Sequence, residues 1–170
     1  MNKIIKVTVA VFSIPFIVLL IFNLFALRSI QTEIIIEAPA EQVWSVLMNH
    51  EAYPVWNPFN KKISGSTLIV ENLEVTIQSE GNDPMDFRPI VLVNTQNKEF
   101  RWVGKLGVRG IFDGEYYFML EQTGSDQTRF IQGENFTGLF SGLFMKMIGK
   151  GTEGGFNSMN RALKSRVEGQ

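Results

Sequence analysis

The sequence predicts an α+β domain in which a curved antiparallel sheet closes around one long C-terminal helix. Three observations carry this. A strand-like run stops at Pro39 and passes into a short amphipathic helix; period-two alternation recurs between residues 73 and 136; and apolar residues return at helical spacing from Phe156 to Val167.

Ahead of these elements lies "VTVAVFSIPFIVLLIFNLFAL", residues 7–27, in which 21 residues pass without a charge. As a helix it is about 31 Å long, matching a hydrocarbon core of about 30 Å. Thr8, Ser13, Pro15 and Asn23 are tolerated in spanning helices. A cleaved secretory signal is the competing reading, but Leu24-Phe25-Ala26 is bulky where a cleavage site is small. The expectation is an uncleaved single-pass membrane anchor over 1–28 and one ligand-binding domain over 29–170. Lys3 and Lys6 precede the run and only Arg28 closely follows it, so the positive-inside tendency leans the domain outside the cytoplasm.

The first strand is expected over about Ile30 to Glu37. Pro39 suits a first helical position, Glu41 meets the positive helix end, and Ala40, Val43, Trp44 and Leu47 share one face. Tyr53-Pro54-Val55-Trp56-Asn57-Pro58 then reads as a tight aromatic corner. In "ENLEVTIQ" Leu73, Val75 and Ile77 alternate; runs at Phe87 to Val93 and Glu99 to Val103 flank a turn-like Asn94-Thr95-Gln96-Asn97. Phe112 to Leu120 sets Phe112, Tyr116, Phe118 and Leu120 on one side, and Thr128 to Phe136 sets Phe130, Gln132, Glu134 and Phe136 on one side. Phe156, Met159, Leu163 and Val167 form the helical stripe. Gly149, Gly151, Gly154 and Gly155 predict a break before it, leaving 139–148 as a separate short helix or flap. Phe140, Leu143, Phe144 and Met147 in that segment suit a soft lid or a membrane-touching surface.

Composition removes several function classes. Residues 1–28 hold Lys3, Lys6 and Arg28 and no acid, so of 16 basic and 17 acidic residues 13 and 17 remain, a formal −4. That excludes the basic field of a nucleic-acid binder. No cysteine and one histidine, His50, exclude thiolate sites and a two-histidine metal pair; His50, at a helix end, is expected to cap or be solvated. "GKLGVRG" lacks the spacing of a dinucleotide loop, and "IGKGTEGG" lacks the Ser/Thr and the earlier glycine of a P-loop. No cofactor and no metal are expected.

The feature with chemistry is Glu134. If its face points inward, a carboxylate sits in an apolar hollow, with its pKa raised, as a hydrogen-bond anchor or a general acid/base. The structural alternative sets it at the cavity rim or pairs it with a cross-strand arginine such as Arg101 or Arg88. Tyr116 adds a hydroxyl on the neighbouring strand. Candidate ligand-binding residues are Trp44, Trp56, Phe112, Tyr116, Phe118, Gln132, Glu134, Phe136, Phe156 and Met159; the only catalytic candidates are Glu134 and Tyr116. Trp44, Trp56, Trp102, Phe112, Phe118, Phe136 and Phe156 are expected in the core first, with some of them lining a pocket.

Ala38-Pro39-Ala40 with Val43-Trp44, the Tyr53-Pro54…Trp56-Asn57-Pro58 corner, Arg101-Trp102-Gly104, Thr128-Arg129-Phe130…Glu134-Asn135-Phe136…Gly138 and the terminal helix together resemble the START-like SRPBCC superfamily, within it the polyketide cyclase/dehydrase-like branch. The resemblance spans about residues 30–168. It implies a helix-grip fold with a deep hydrophobic cavity between sheet and C-terminal helix. The scaffold serves lipid carriage, polyketide cyclisation and chaperone activation alike. The expectation drawn is membrane-anchored binding of a hydrophobic small molecule or lipid without chemistry. The alternatives are a cyclase/dehydratase using Glu134 and a protein-interaction module with a filled core; protein partners stay unspecified.

Overall fold

The computed structural model describes Val18 and residues 26–169. Strands β1 (Arg28–Ile36), β5 (Ile90–Thr95), β6 (Glu99–Lys105), β7 (Asp113–Gly124) and β8 (Gln127–Thr137) form a five-stranded antiparallel sheet in the order β1-β8-β7-β6-β5. Strands β2 (Asn60–Gly65), β3 (Leu73–Ile77) and β4 (Met85–Phe87) form a second, three-stranded one. Helix α1 (Ala40–Met48), a 3₁₀ turn (His50–Ala52) and the one-turn α2 (Tyr53–Trp56) follow β1, and α3 (Ser141–Glu168) closes the chain.

In β1 the alternation of RSIQTEIII buries Ile30, Thr32 and Ile36 toward α3 and leaves Ser29, Gln31 and Glu33 in water. The expected face of α1, Ala40, Val43, Trp44 and Leu47, is the buried one. Pro39 stands one residue earlier than expected, as an extended cap rather than the first helical residue; the free Ala40 N–H donates to Gln122 Oε1 at 2.7 Å instead. The aromatic corner is a short helical bend. Fully buried Tyr53 clamps it by donating its hydroxyl to Leu47 O at 2.6 Å, and Asn57 Oδ1 accepts the N–H groups of Phe59 and Asn60.

Three expectations are corrected. The single curved sheet is two sheets: Pro89 has no N–H to give a ladder, so the run at Phe87 to Val93 splits into β4 and β5. Residues 70–73 then run along the outer edge of β5 and join the sheets through Val70 N–H to Val91 O, Val91 N–H to Glu71 O and Leu73 N–H to Pro89 O, each 2.9–3.0 Å. Second, α3 does not break at its glycines. It is one helix of 28 residues, about 42 Å long, and residues 139–148 contribute to its first turns. Gly155 lies directly under the Phe59 ring, where any Cβ would overlap it, so close packing outweighs the weak helix propensity. Third, His50 neither caps nor faces water. Its ring sits 5.2 Å from Tyr53 and 5.8 Å from Phe100, its Nε2 is buried without a partner, and burial lowers its pKa to about 4.

Among the described residues no helix is long and apolar enough to cross a membrane. The expected anchor, residues 7–27, lies outside the described residues except for Val18, Ala26 and Leu27.

Candidate functional site

A cavity of about 240 Å³ opens between the two sheets and the first half of α3. The small sheet supplies Asn60, Val75, Ile77, Met85 and Phe87; the large sheet supplies Trp102, Gly114, Tyr116, Glu134 and Phe136; α3 supplies Phe144, Met147, Ile148 and Thr152. Phe112, in the loop before β7, stacks 5.3 Å from Phe136 and lies 4.8 Å from Phe144. The wall is therefore almost wholly apolar, as ligand pockets are.

Glu134 is the acidic group in that wall. It is the direct cross-strand partner of Tyr116, so both side chains point inward from adjacent strands. Its carboxylate rests over the bare α-carbon of Gly114 on β7, where a Cβ would overlap Oε1. Among the described residues no hydrogen bond or salt bridge engages it. Desolvation raises its pKa to about 8, so at neutral pH it is mainly a carboxylic acid able to donate as well as accept. The pairing with Arg101 or Arg88 does not form. Arg101 leaves β6 on the face opposite inward Trp102, where it bridges Glu99 at 2.6 Å and Glu115 at 2.5 Å; Arg88 is exposed and lies 3.6 Å from Glu74.

Behind Glu134 lies a polar knot. Tyr116 Oη accepts from Asn60 Nδ2 at 3.2 Å and from Gln132 Nε2. The acceptor for its own proton is Met159 Sδ at 4.0 Å, a weak one. Burial raises the Tyr116 pKa well above its ordinary value and keeps that proton on. Asn60 Oδ1 and Gln132 Oε1 are buried without partners among the described residues. Trp102 stacks on Tyr116 at 4.6 Å and fixes its ring.

Of the ten candidate ligand-binding residues, the structure brings Phe112, Tyr116, Glu134 and Phe136 to the cavity and leaves six outside it. Gln132 stands behind Tyr116. Phe118, Phe156 and Met159 are fully buried and fill the space between sheet and helix beyond the knot. Trp44 packs under α1, and Trp56 is half-buried against Tyr53 at 5.0 Å. Five of these six are buried in the interior, and Trp56 packs partly buried against it. Gly114 and Asn60 were missed. Gly114 shares parity with Phe112 and Tyr116, which was a usable signal, whereas "NKKISG" of β2 carries almost no apolar alternation. A second recess, of about 820 Å³, lies between Lys61, the loop after β3 and the exposed side of α3; it is open and polar and belongs to the surface.

The sequence matches the family described as polyketide cyclase/dehydrase and lipid transport over residues 28–168, and the chain belongs to that family. No curated protein matches it. Its fold is that of the START/SRPBCC superfamily. The Zhui aromatase/cyclase from Streptomyces sp. R1128 superposes with a TM-score of 0.68 at 13% identity, over 84% of this chain and 94% of that one. Norcoclaurine synthase from Thalictrum flavum, in complex with dopamine and hydroxybenzaldehyde, gives 0.66 at 17% identity, over 88% and 92%. A START superfamily protein from Mycobacterium smegmatis gives 0.62 at 22% identity, over 82% and 97%. At these identities the likeness establishes the fold alone.

Proposed function

We propose that this member of the polyketide cyclase/dehydrase and lipid transport family binds an uncharged, single-chain or small-ring hydrophobic molecule without chemically changing it. The observation that carries this reading is Glu134, an acid with no hydrogen-bond or salt-bridge partner among the described residues, in a largely apolar cavity. About 240 Å³ lies below the roughly 300–1,000 Å³ of pockets for drug-sized ligands, so a whole diacyl lipid does not fit inside. A neutral Glu134 and a protonated Tyr116 offer two donors to one acceptor oxygen, such as a carbonyl. A carboxylate ligand would place a second acid beside Glu134, and Lys105, the one cation lining the cavity among the described residues, is exposed to water and so meets it only weakly. We further infer that residues 7–27 anchor the domain in a membrane, with the domain outside the cytoplasm, on the strength of their charge-free length and of Lys3 and Lys6 before them.

The test is titration of the tryptophan fluorescence of the full chain in detergent with methyl decanoate and with decanoate at neutral pH. The ester is expected to bind at least tenfold more tightly. Equal affinities, or binding of neither, would sink the assignment.

The second reading is acid–base catalysis. A carboxyl group that titrates near 8 is poised for proton transfer at physiological pH, and Tyr116 is the adjacent donor. It requires that Glu134→Gln abolish turnover of a ring-closing or dehydration substrate while the fold survives.

A further inference from the structure

We propose that the rim of the cavity docks on an anionic lipid bilayer, with Leu106, Val108, Leu143 and Met147 entering the acyl region and Lys105, Arg109 and Lys146 at headgroup level. The inference rests on the reading of the cavity as a ligand site and says how that ligand reaches it.

Four large apolar side chains stand in water here: Val108 and Met147 are each 71% exposed, Leu143 58% and Leu106 42%. They come from separate segments that the backbone ties together. The β6–β7 loop accepts Leu139 N–H at Gly110 O (2.9 Å) and Phe140 N–H at Ile111 O (3.0 Å), which fixes it to the start of α3. Leu106 and Met147 also line the cavity, so the exposed apolar surface continues into the pocket wall. Exposed apolar side chains on two segments tied together at the mouth of a hydrophobic hollow mark a contact surface rather than scattered exposure.

The loop 105–112 and the segment 139–150 carry charges of one sign. Lys105 and Arg109 flank the loop tip, and Lys146 lies on the turn of α3 between Leu143 and Met147. Asp113, the first residue of β7, is half-buried behind the tip and accepts the Gly110 N–H at 2.9 Å through Oδ2. Apolar tips with cations beside them suit the boundary between acyl chains and anionic headgroups. A second copy of the chain fits less well, because a two-fold contact would bring the Lys105, Arg109 and Lys146 set of one copy up to the same cationic set of the other.

The chain also enters at this end. Arg28 donates to Ser141 Oγ at 2.6 Å, so Leu27, itself 65% exposed, sits beside the first turn of α3. The charge-free run 7–27 therefore joins the domain next to the rim. A span starting there would hold the rim near the bilayer at high effective concentration.

The chain has no cysteine, so single cysteines report one position each. Val108→Cys, Leu143→Cys and Ser125→Cys would be labelled with a bimane fluorophore in the full chain. Ser125 lies in the turn at the far end of β7, roughly 36 Å from Asp113 at 3.3 Å per residue. The labelled proteins would be reconstituted in phosphatidylcholine vesicles with phosphatidylglycerol and a doxyl-chain lipid. The expected result is quenching at 108 and 143 several-fold above that at 125, weaker when phosphatidylglycerol is left out. Equal quenching at all three positions would overturn docking, even where methyl decanoate still binds. Selective quenching at 108 and 143 with no ester binding would leave docking standing and remove only the ligand assignment.

Discussion

The carboxylate of Glu134 rests on the α-carbon of Gly114, so a side chain on β8 occupies the space that a residue on β7 leaves empty. The acid is thereby held low against the sheet, beneath the hydrocarbon wall of the cavity. Gly114→Ala would drive a methyl group into Oε1. We expect a loss of about 1–3 kcal/mol in denaturant unfolding and a tenfold or greater fall in methyl decanoate affinity. Unchanged affinity would show that the carboxyl position is not set by Gly114.

Glu134 also sets a pH dependence of stability. Its folded pKa of about 8 lies above the value near 4.5 of the unfolded chain. Between these limits the folded protein holds a proton that the unfolded chain has released, so stability falls as pH rises from about 4.5 to about 8 and levels off above that. The contribution of this group has a slope of at most about 1.4 kcal/mol per pH unit. Glu134→Gln removes it, and the difference in unfolding free energy between variant and wild type, measured across that range, should grow with pH in the variant's favour.

The single histidine runs the other way. His50 has a folded pKa of about 4 against 6.5 in the unfolded chain. Below 6.5 the unfolded chain takes up a proton the folded one refuses, so stability is lost as pH falls from 6.5 toward 4. The imidazole resonances of folded protein should show no titration midpoint above pH 5, an unambiguous NMR reading because there is one histidine.

Tyr116→Phe keeps the ring that stacks on Trp102 and deletes the oxygen that Asn60 and Gln132 both address. Two buried amides would lose an acceptor, at a cost of about 1–3 kcal/mol by thermal or chemical unfolding. A neutral effect would show that those amides find other partners.

Two neighbouring glycines of α3 should respond oppositely to alanine. Gly155→Ala forces a methyl into the Phe59 ring and is expected to cost about 1–3 kcal/mol. Gly154 is exposed, with nothing within 4 Å of an added Cβ, so Gly154→Ala should stabilise by up to about 1 kcal/mol. Matched urea titrations of the two variants decide it.

Much of the fold was legible because its signals are local. Alternation in 128–136 placed Phe130, Gln132, Glu134 and Phe136 on one face, and the spacing from Phe156 to Val167 marked the closing helix. What was illegible depends on partners distant in sequence. Parity turns Phe118 and Tyr116 inward alike, yet only Tyr116 reaches the cavity, because Phe130 and Phe156 fill the space around Phe118 and Met159. The glycines of α3 suggested a break until Phe59, almost a hundred residues earlier, proved to need the room at Gly155. Sequence parity also could not report that Arg101 was engaged by Glu99 and Glu115 on the outer face, away from the acid.

The seam between the sheets has a mechanical consequence. Three backbone hydrogen bonds along residues 70–73 join the leaf that carries Val75, Ile77 and Met85 to the edge of β5, whereas the β7–β8 ladder opposite is continuous over most of its length. Strain from an oversized guest will therefore be relieved along that line first. The interior can swell by swinging one leaf while the wall bearing Glu134 stays rigid, so capacity and chemical selectivity reside in separable halves of the molecule.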